Sequence, residues 1–239
     1  MPPSAGRREA ISIDSNKPEG DFLMSRQPRA RQLMDALSTP WLPGPTVRAS
    51  SVLAQHARDA AATAAVFGFF GSAWFGWAQD SPPQAWRWAL VVGSIVSLVV
   101  CAAGTLLTWR RWSEPTALDA QTSRVFGIIV GIEFALAGLG AGVFAAVGRA
   151  DMIAAWVAVV VGVHLFPLAA LFKYRLLHLT AALVTIAGLL AVPVARSSSL
   201  AISAVAGAGS GVVLLATAVI SLPTALRVTR VDQGPAAAG

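Results

Sequence analysis

Six long apolar blocks constrain this chain more than any other feature of its sequence. Each block is close to the roughly 20 residues that a helix needs to cross a bilayer. The blocks are Ala60–Ala78, Trp88–Thr108, Val125–Val147, Ile153–Phe172, Leu176–Ala195 and Leu200–Leu222. They predict an all-α, polytopic membrane protein with six transmembrane helices joined mostly by short loops.

Composition supports a membrane protein and argues against a soluble one. Only 13% of the residues are charged and 55% are hydrophobic, whereas about 25% of a soluble domain is charged. The pI near 11.0 would suit a nucleic-acid-binding protein only if the basic residues formed a surface patch. They lie instead in the gaps between apolar blocks. The lipid bilayer is therefore the expected partner, and nucleic acid is not expected.

The distribution of basic residues predicts the orientation of the six spans. With the N-terminus inside, only Arg87, Arg149 and Arg196 of the 18 Lys and Arg residues fall outside. This satisfies the positive-inside rule, which places basic loops in the cytosol.

Tryptophans support the same assignment, because they favour the headgroup level of the bilayer. Those expected at span ends are Trp74, Trp77, Trp86, Trp88 and Trp156 outside, and Trp109 and Trp112 inside. Both termini are predicted to be cytosolic, in a multi-pass protein of the cytoplasmic membrane.

The sequence divides into three regions. Residues 1–59 are predicted to be a mostly disordered basic cytosolic tail, residues 60–222 the six-helix membrane domain, and residues 223–239 a short cytosolic tail. A brief helix is predicted within the first tail at Arg31–Ser38, before Pro40. Met24 and Met34 are alternative starts to Met1.

Glu133, in the third block, is the only carboxylate within the six blocks, and His164 is an ionisable residue within the fourth block. A charged group in mid-membrane costs roughly 2.5–3.5 kcal/mol, so it should face protein or water. Glu133 lies nine residues after Arg124, and His164 lies nine residues before Lys173. At 1.5 Å per residue both are about 13–14 Å from the same boundary. Antiparallel neighbouring helices would therefore bring them together as a polar intramembrane pair.

The third block also carries a stripe of small residues that predicts close helix packing. The stripe is formed by Gly127, Gly131, Ala135, Gly138 and Gly142. Small side chains let a neighbouring backbone approach closely. Glu133 lies on the opposite face, with Ile129, Leu136, Gly140 and Phe144. If the stripe packs inward, Glu133 needs another neighbour: the fourth span, a second copy of the chain or a partner subunit.

Pro167 follows His164 by three residues and predicts a helix kink. Proline removes one helical hydrogen bond and would free the carbonyl of Val163 beside the imidazole. The pair can then be a neutral acid bonded to a neutral imidazole, or an ion pair.

His178 is an alternative third ligand if the site binds a metal, although a superficial histidine fits its position better. There is no HExxH motif and no compact histidine cluster. No metal, cofactor or catalytic residue is predicted.

Arg110 and Arg111, flanked by Trp109 and Trp112, allow two interpretations. They can bind acidic lipid headgroups, or they can simply anchor the cytosolic end of the second span.

The segment "GVHLFPLAALFKY" at Gly162–Tyr174 follows the Gly-rich block that contains Glu133. It resembles a Gly-x-His-Phe-x-Pro-Leu-Ala-like segment found in a family of uncharacterised bacterial multi-span membrane proteins. Here Leu165 separates the histidine from Phe166, so the His-Phe adjacency is not reproduced. The resemblance implies a multi-span bacterial membrane protein and no particular activity.

These patterns lead to three functional hypotheses. The first is a non-enzymatic membrane protein that uses Glu133 and His164 in proton- or cation-linked transport or sensing. The second is a structural or accessory membrane subunit, in which the pair only fixes helix packing. An intramembrane enzyme is the least favoured, because few polar groups converge in the blocks.

Overall fold

The computed structural model describes residues 45–114, 116 and 120–231, and contains helices and no strand in that part of the chain. The six α-helices are α1 Pro45–Ala78, α2 Arg87–Arg110, α3 Ala120–Ala146, α4 Ile153–Phe172, α5 Arg175–Ser197 and α6 Ile202–Val231. Short 3-10 helices at Gln84–Trp86 and Ala150–Met152 precede α2 and α4. The predicted all-α class is confirmed.

Each helix contains a stretch long and apolar enough to cross a membrane. These stretches are Ala57–Ala78, Gln84–Arg110, Ala120–Ala146, Ala150–Phe172, Arg175–Ser197 and Ile202–Leu226. They match the six predicted blocks one for one and extend most of them by a few residues. The number of candidate spans is therefore confirmed.

The first helix begins earlier than the sequence analysis predicted. It starts at Pro45, within the region assigned to the tail, and continues without interruption into the first apolar block. Proline is favoured in the first turn of a helix, and neither glycine nor proline follows until Gly68. The predicted helix at Arg31–Ser38 lies outside the described residues.

Helices α4, α5 and α6 pack on one another, with an extensive interface between α4 and α5, and α1 contributes to the same hydrophobic core. Many of its buried side chains are small, among them Ala158 and Ala169 of α4 and Ala181 of α5. Alanine lets the helix backbones approach closely, which is the usual source of helix association in lipid. Larger side chains such as Leu214 of α6 fill the space that remains.

Close approach also joins α1 to α2. A methyl group added at Gly104 would lie 2.5 Å from the amide nitrogen of Ala65 and 2.8 Å from the carbonyl of Ala61. Only glycine fits at this crossing. At the other end of α1, Trp74 is buried and stacks on Trp77, with ring centroids 5.3 Å apart. Trp74 was expected at the lipid interface, but its side chain is only 4% exposed, and its backbone carbonyl lies close to Gly207 of α6.

Two tight turns fold α3, α4 and α5 into consecutive hairpins. After α3, Gly148 has a φ of +72°, and Arg149 N–H donates to the Phe144 carbonyl. After α4, Lys173 has a φ of 52°, and Tyr174 N–H donates to the Ala169 carbonyl. Both are Schellman-type ends, in which a left-handed residue reverses the chain. This geometry makes α3 and α4 antiparallel neighbours.

Candidate functional site

Glu133 of α3 and His164 of α4 are in direct contact. The Nε2 atom of His164 lies 3.1 Å from Oε2 of Glu133, and each side chain is 13% exposed. The distance is that of a hydrogen bond. The structure therefore brings together the two polar residues that the sequence analysis assigned to the third and fourth apolar blocks.

The contact is made possible by the face that α3 turns toward α4. Residues of α3 that are partly covered recur at helical spacing on the side of Glu133, and include Phe126, Ile129, Gly140 and Phe144. None of the residues of α3 is fully buried. The helix therefore lies at the edge of the bundle and packs on α4 along a single face.

Trp156 of α4 forms a second attachment of α3, toward the Gly148 turn. Its Nε1–H donates to the Leu136 carbonyl at 3.1 Å, and its ring lies 6.1 Å from that of Phe144. The indole crosses α3 directly at Gly140, where an added methyl group would overlap the ring. Gly140 thus fits α3 against α4 about two helical turns from Glu133.

The second nitrogen of the imidazole has no hydrogen-bond partner in the part of the chain that the structure describes. Nδ1 of His164 is buried and has no hydrogen bond within the described residues. The carbonyls of Val160 and Val161, about one turn earlier, are near enough to interact but do not have hydrogen-bond geometry. His164 therefore depends on Glu133 for its one well-formed polar contact in this part of the chain.

Pro167 lies within α4, and the helix runs from Ile153 to Phe172 across it. The kink expected there remains a prediction. His178, the alternative third ligand, is exposed near the start of α5 and packs edge-on to Phe166, with ring centroids 6.4 Å apart. Among the described residues, no group of three or more His, Cys, Asp or Glu side chains could hold a metal ion.

The small-residue stripe of α3 faces away from the bundle. A methyl group added at Gly127, Gly131, Gly138 or Gly142 would meet no heavy atom of the described chain within 4 Å. The Glu133 face, and not the stripe, is the one that packs on α4. The close packing predicted for the stripe has no partner within the described chain.

A cluster of buried hydroxyl groups between α5 and α6 was missed by the sequence analysis. The Oγ1 atoms of Thr180 and Thr217 are 2.7 Å apart, and both side chains are buried. Nearby, the hydroxyls of Tyr174 and Ser221 are 3.5 Å apart. Neutral hydroxyls do not interrupt a hydropathy pattern, so only their spacing on α6 could have indicated them. Ser203, Ser210 and Thr217 recur every seven residues, with Ser221 four residues later.

Two further buried hydroxyls, those of Ser97 and Ser210, have no hydrogen-bond partner within the described residues. Serines in apolar helices commonly donate to the carbonyl four residues earlier, as Ser221 does to Thr217. Ser97 Oγ is directed toward α1, where it would lie 3.2 Å from a methyl group added at Gly71. Both serines add polar groups to the bundle interior that are separate from the Glu133–His164 contact.

A surface cavity of about 470 Å³ lies near the Gly148 turn, lined by residues that include Trp77, Asp80, Asp151 and Ser203. Arg149 pairs with Asp151 at its edge, with Nε 3.2 Å from Oδ1. Neither Glu133 nor His164 lines this cavity.

No family model, no curated protein and no solved structure matches the chain.

Proposed function

We propose that this chain is a multi-pass cytoplasmic-membrane protein that uses the Glu133–His164 pair in proton- or cation-linked transport or sensing. The observation that carries the proposal is the 3.1 Å contact between the two side chains across α3 and α4. Ionisable groups within membrane spans are costly and usually mark ion or proton pathways. An acid and a base in contact there form a site that can exchange a proton or admit a cation in its place.

The contact offers a mechanism by which a proton would change the packing of α3. A pair that shares one acidic proton is neutral overall, and one partner donates to the other. Uptake of a second proton leaves a carboxylic acid facing an imidazolium, so the pair becomes positive and loses its acceptor nitrogen. Because α3 packs on α4 along one face only, weakening this contact would favour its movement relative to α4.

The alternative is a structural or accessory subunit in which the pair only fixes α3 to α4. Both side chains are 13% exposed, and the cavity lined by Asp80 and Asp151 does not reach them. A closed hydrogen bond of this kind can stabilise helix packing without taking part in transport. The two functions differ in what a neutral replacement of Glu133 should do.

Proton flux in proteoliposomes tests the proposal. Glu133→Gln keeps a hydrogen-bonding group of similar shape but cannot ionise. We expect this variant to insert and fold like the unaltered protein and to lose a pH-gradient-driven flux or pH-dependent conformational signal. His164→Ala should lose the same signal. A structural pair predicts instead that Glu133→Gln keeps any such signal.

Trp156→Phe is the matched control for this experiment. It removes the hydrogen bond from Trp156 to the Leu136 carbonyl and leaves both ionisable groups in place. If Trp156→Phe abolishes the signal as fully as Glu133→Gln, the pair acts only through helix packing and the proposal is wrong. Equal signals from the unaltered protein, Glu133→Gln and His164→Ala would also reject it.

Reporter fusions test the proposed orientation. With both termini cytosolic, a periplasm-active reporter fused after Arg149 or Arg196 should be active, and one fused after Arg111 or Lys173 should not. Activity of a cytosolic reporter after Arg149 would overturn the orientation and would leave the contact between Glu133 and His164 unaffected.

A further inference from the structure

An apolar groove lies between α1 and α2 at the end where the α2–α3 loop begins. Its volume is about 540 Å³, and it is lined by residues that include Ala62 and Ala65 of α1 and Thr105, Thr108, Trp109 and Trp112 in and after α2. Thr105 to Trp109 span about 6 Å of α2, and Trp112 lies beyond the end of that helix. Trp109 and Trp112 are largely exposed beside the groove, as aromatic side chains at the headgroup level of a membrane usually are.

Basic residues lie at one end of this groove. The guanidinium carbon of Arg58 is 5.2 Å from the ring centroid of Trp112, which forms part of the groove wall. Arg58 also donates to the backbone carbonyl of Glu114. Ala62, one helical turn after Arg58, begins the α1 side of the groove. The positive charge is thus fixed beside the opening and does not project freely into solvent.

Arg111 has a donor that no group in the described chain satisfies. Its side chain is 5% exposed, and its Nη1 lies 3.4 Å from Oε2 of Glu114, but its Nη2 has no hydrogen-bond partner. An unsatisfied buried donor is costly, and more so when it is charged. A guanidinium binds phosphate oxygens well because its donors form a planar fork.

The charges around Arg111 leave an excess of positive charge. Three guanidinium groups occur at this end of α1 and α2, those of Arg58, Arg110 and Arg111, and the described residues there include two carboxylates, those of Asp59 and Glu114. The Asp59 carboxylate accepts a hydrogen bond from Thr116 Oγ1 at 2.9 Å, and Glu114 is paired with Arg111. Three guanidinium groups against two carboxylates favour an anion.

We propose that this end of α1 and α2 binds an anionic phospholipid, with its headgroup phosphate at Arg111 and an acyl chain in the groove. Arg58 and Arg110 add positive charge around the headgroup. The groove walls of methyl groups and indole rings suit an acyl chain, and the arginine nitrogen without a partner suits a phosphate oxygen. This site is on α1 and α2, so it does not depend on the Glu133–His164 proposal.

Native mass spectrometry of the full-length protein in detergent tests the lipid site. The protein is incubated with phosphatidylglycerol or phosphatidylcholine that carries the same acyl chains. We expect preferential retention of one phosphatidylglycerol. Arg111→Gln should lose at least about fivefold of this preference, whereas Arg87→Gln, at an exposed position at the opposite end of α2, should keep it within about twofold.

Thr105→Trp is a second variant, at an exposed position on the groove wall. The indole should fill the groove and weaken the binding of both lipids, with no change in the elution volume of the protein. If Arg111→Gln does not fold, this variant alone decides the result. The proposal is overturned if the protein has no preference for phosphatidylglycerol, if Arg87→Gln and Arg111→Gln lose it equally, or if Thr105→Trp binds both lipids as before.

Discussion

His164 and Glu133 meet with Nε2 3.1 Å from Oε2, while Nδ1 of the same imidazole has no hydrogen-bond partner in the described chain. The contact joins α4, many of whose residues are buried, to α3, none of whose residues is buried. If this contact were lost, the remaining side-chain hydrogen bond between these two helices in the described residues would be the one that Trp156 Nε1–H donates to the Leu136 carbonyl. The pair therefore contributes to the position of α3, whatever else it does.

Removal of one partner should destabilise the protein more than removal of both. Glu133→Leu leaves the imidazole buried without an acceptor, at a cost of about 1–3 kcal/mol. The double variant Glu133→Leu/His164→Leu removes both polar groups, and replacement of a buried pair by apolar residues is often nearly neutral. We expect its unfolding free energy, measured by detergent denaturation, to return to within about 1 kcal/mol of the unaltered protein. A double variant less stable than either single variant would contradict this prediction.

Two glycines on opposite faces of α3 should respond differently to the same change. Gly140→Leu overlaps the Trp156 ring, so we expect a loss of about 1–3 kcal/mol of stability, typical of overpacking. Gly138→Leu points away from the described bundle and should cost less than about 0.5 kcal/mol. Unfolding free energies of the two variants provide the measurement, and Gly138→Leu is the control. A larger loss at Gly138 would show that the stripe is packed against another chain.

The sequence was sufficient to predict the six helices, because a membrane span needs a minimum apolar length and loops interrupt it with charge. It was also sufficient to predict the partner of Glu133, since equal distances from Arg124 and Lys173 place two antiparallel residues at one depth. These inferences depend on distance along a helix, which is a property of each helix alone.

Other features depend on how the helices rotate and pack, and one sequence does not determine that. The glycine stripe of α3 has the composition of a packing face, yet the opposite face fits α4 because Trp156 can cross at Gly140. The burial of Ser97 and Ser210 gave no signal, because a hydroxyl raises the polarity of a span very little. The start of α1 at Pro45 was missed because its first residues are not apolar.

The hydroxyls of Thr180 and Thr217 should be energetically coupled. They are 2.7 Å apart, and each also lies within hydrogen-bond distance of a carbonyl in its own helix, that of Leu176 or Val213. Two hydroxyl protons cannot make all three of these hydrogen bonds. Either one hydroxyl donates to the other across the α5–α6 interface, or both donate to their own helix and the 2.7 Å contact is close packing. Hydrogen bonds between membrane helices contribute about 0.6 kcal/mol on average and about 1.7 at most.

A double-mutant cycle of Thr180→Val and Thr217→Val measures this coupling. Valine has the shape of threonine without the hydroxyl. We expect a coupling free energy of about 0.5–1.5 kcal/mol in unfolding measurements. Thr185→Val, which removes a hydroxyl bonded only to the Ala181 carbonyl of its own helix in the described contacts, should show no coupling to Thr217→Val. Strictly additive losses at Thr180 and Thr217 would mean that no proton is shared between α5 and α6.

The turn after α4 uses a lysine where the equivalent turn after α3 uses a glycine, and this difference predicts a stabilising substitution. Lys173 has a φ of 52°, in the left-handed region where a β-carbon costs about 1–2 kcal/mol. Lys173→Gly removes that cost but also removes a positive charge that is favourable near a helix C-terminus. Lys173→Ala removes the same charge and keeps the β-carbon, so it is the matched control.

We expect Lys173→Gly to be more stable than Lys173→Ala by about 1 kcal/mol, and Gly148→Ala to lose a similar amount, in the same unfolding measurement. Equal stability of Lys173→Gly and Lys173→Ala would mean that the α4–α5 turn does not need a left-handed residue at this position.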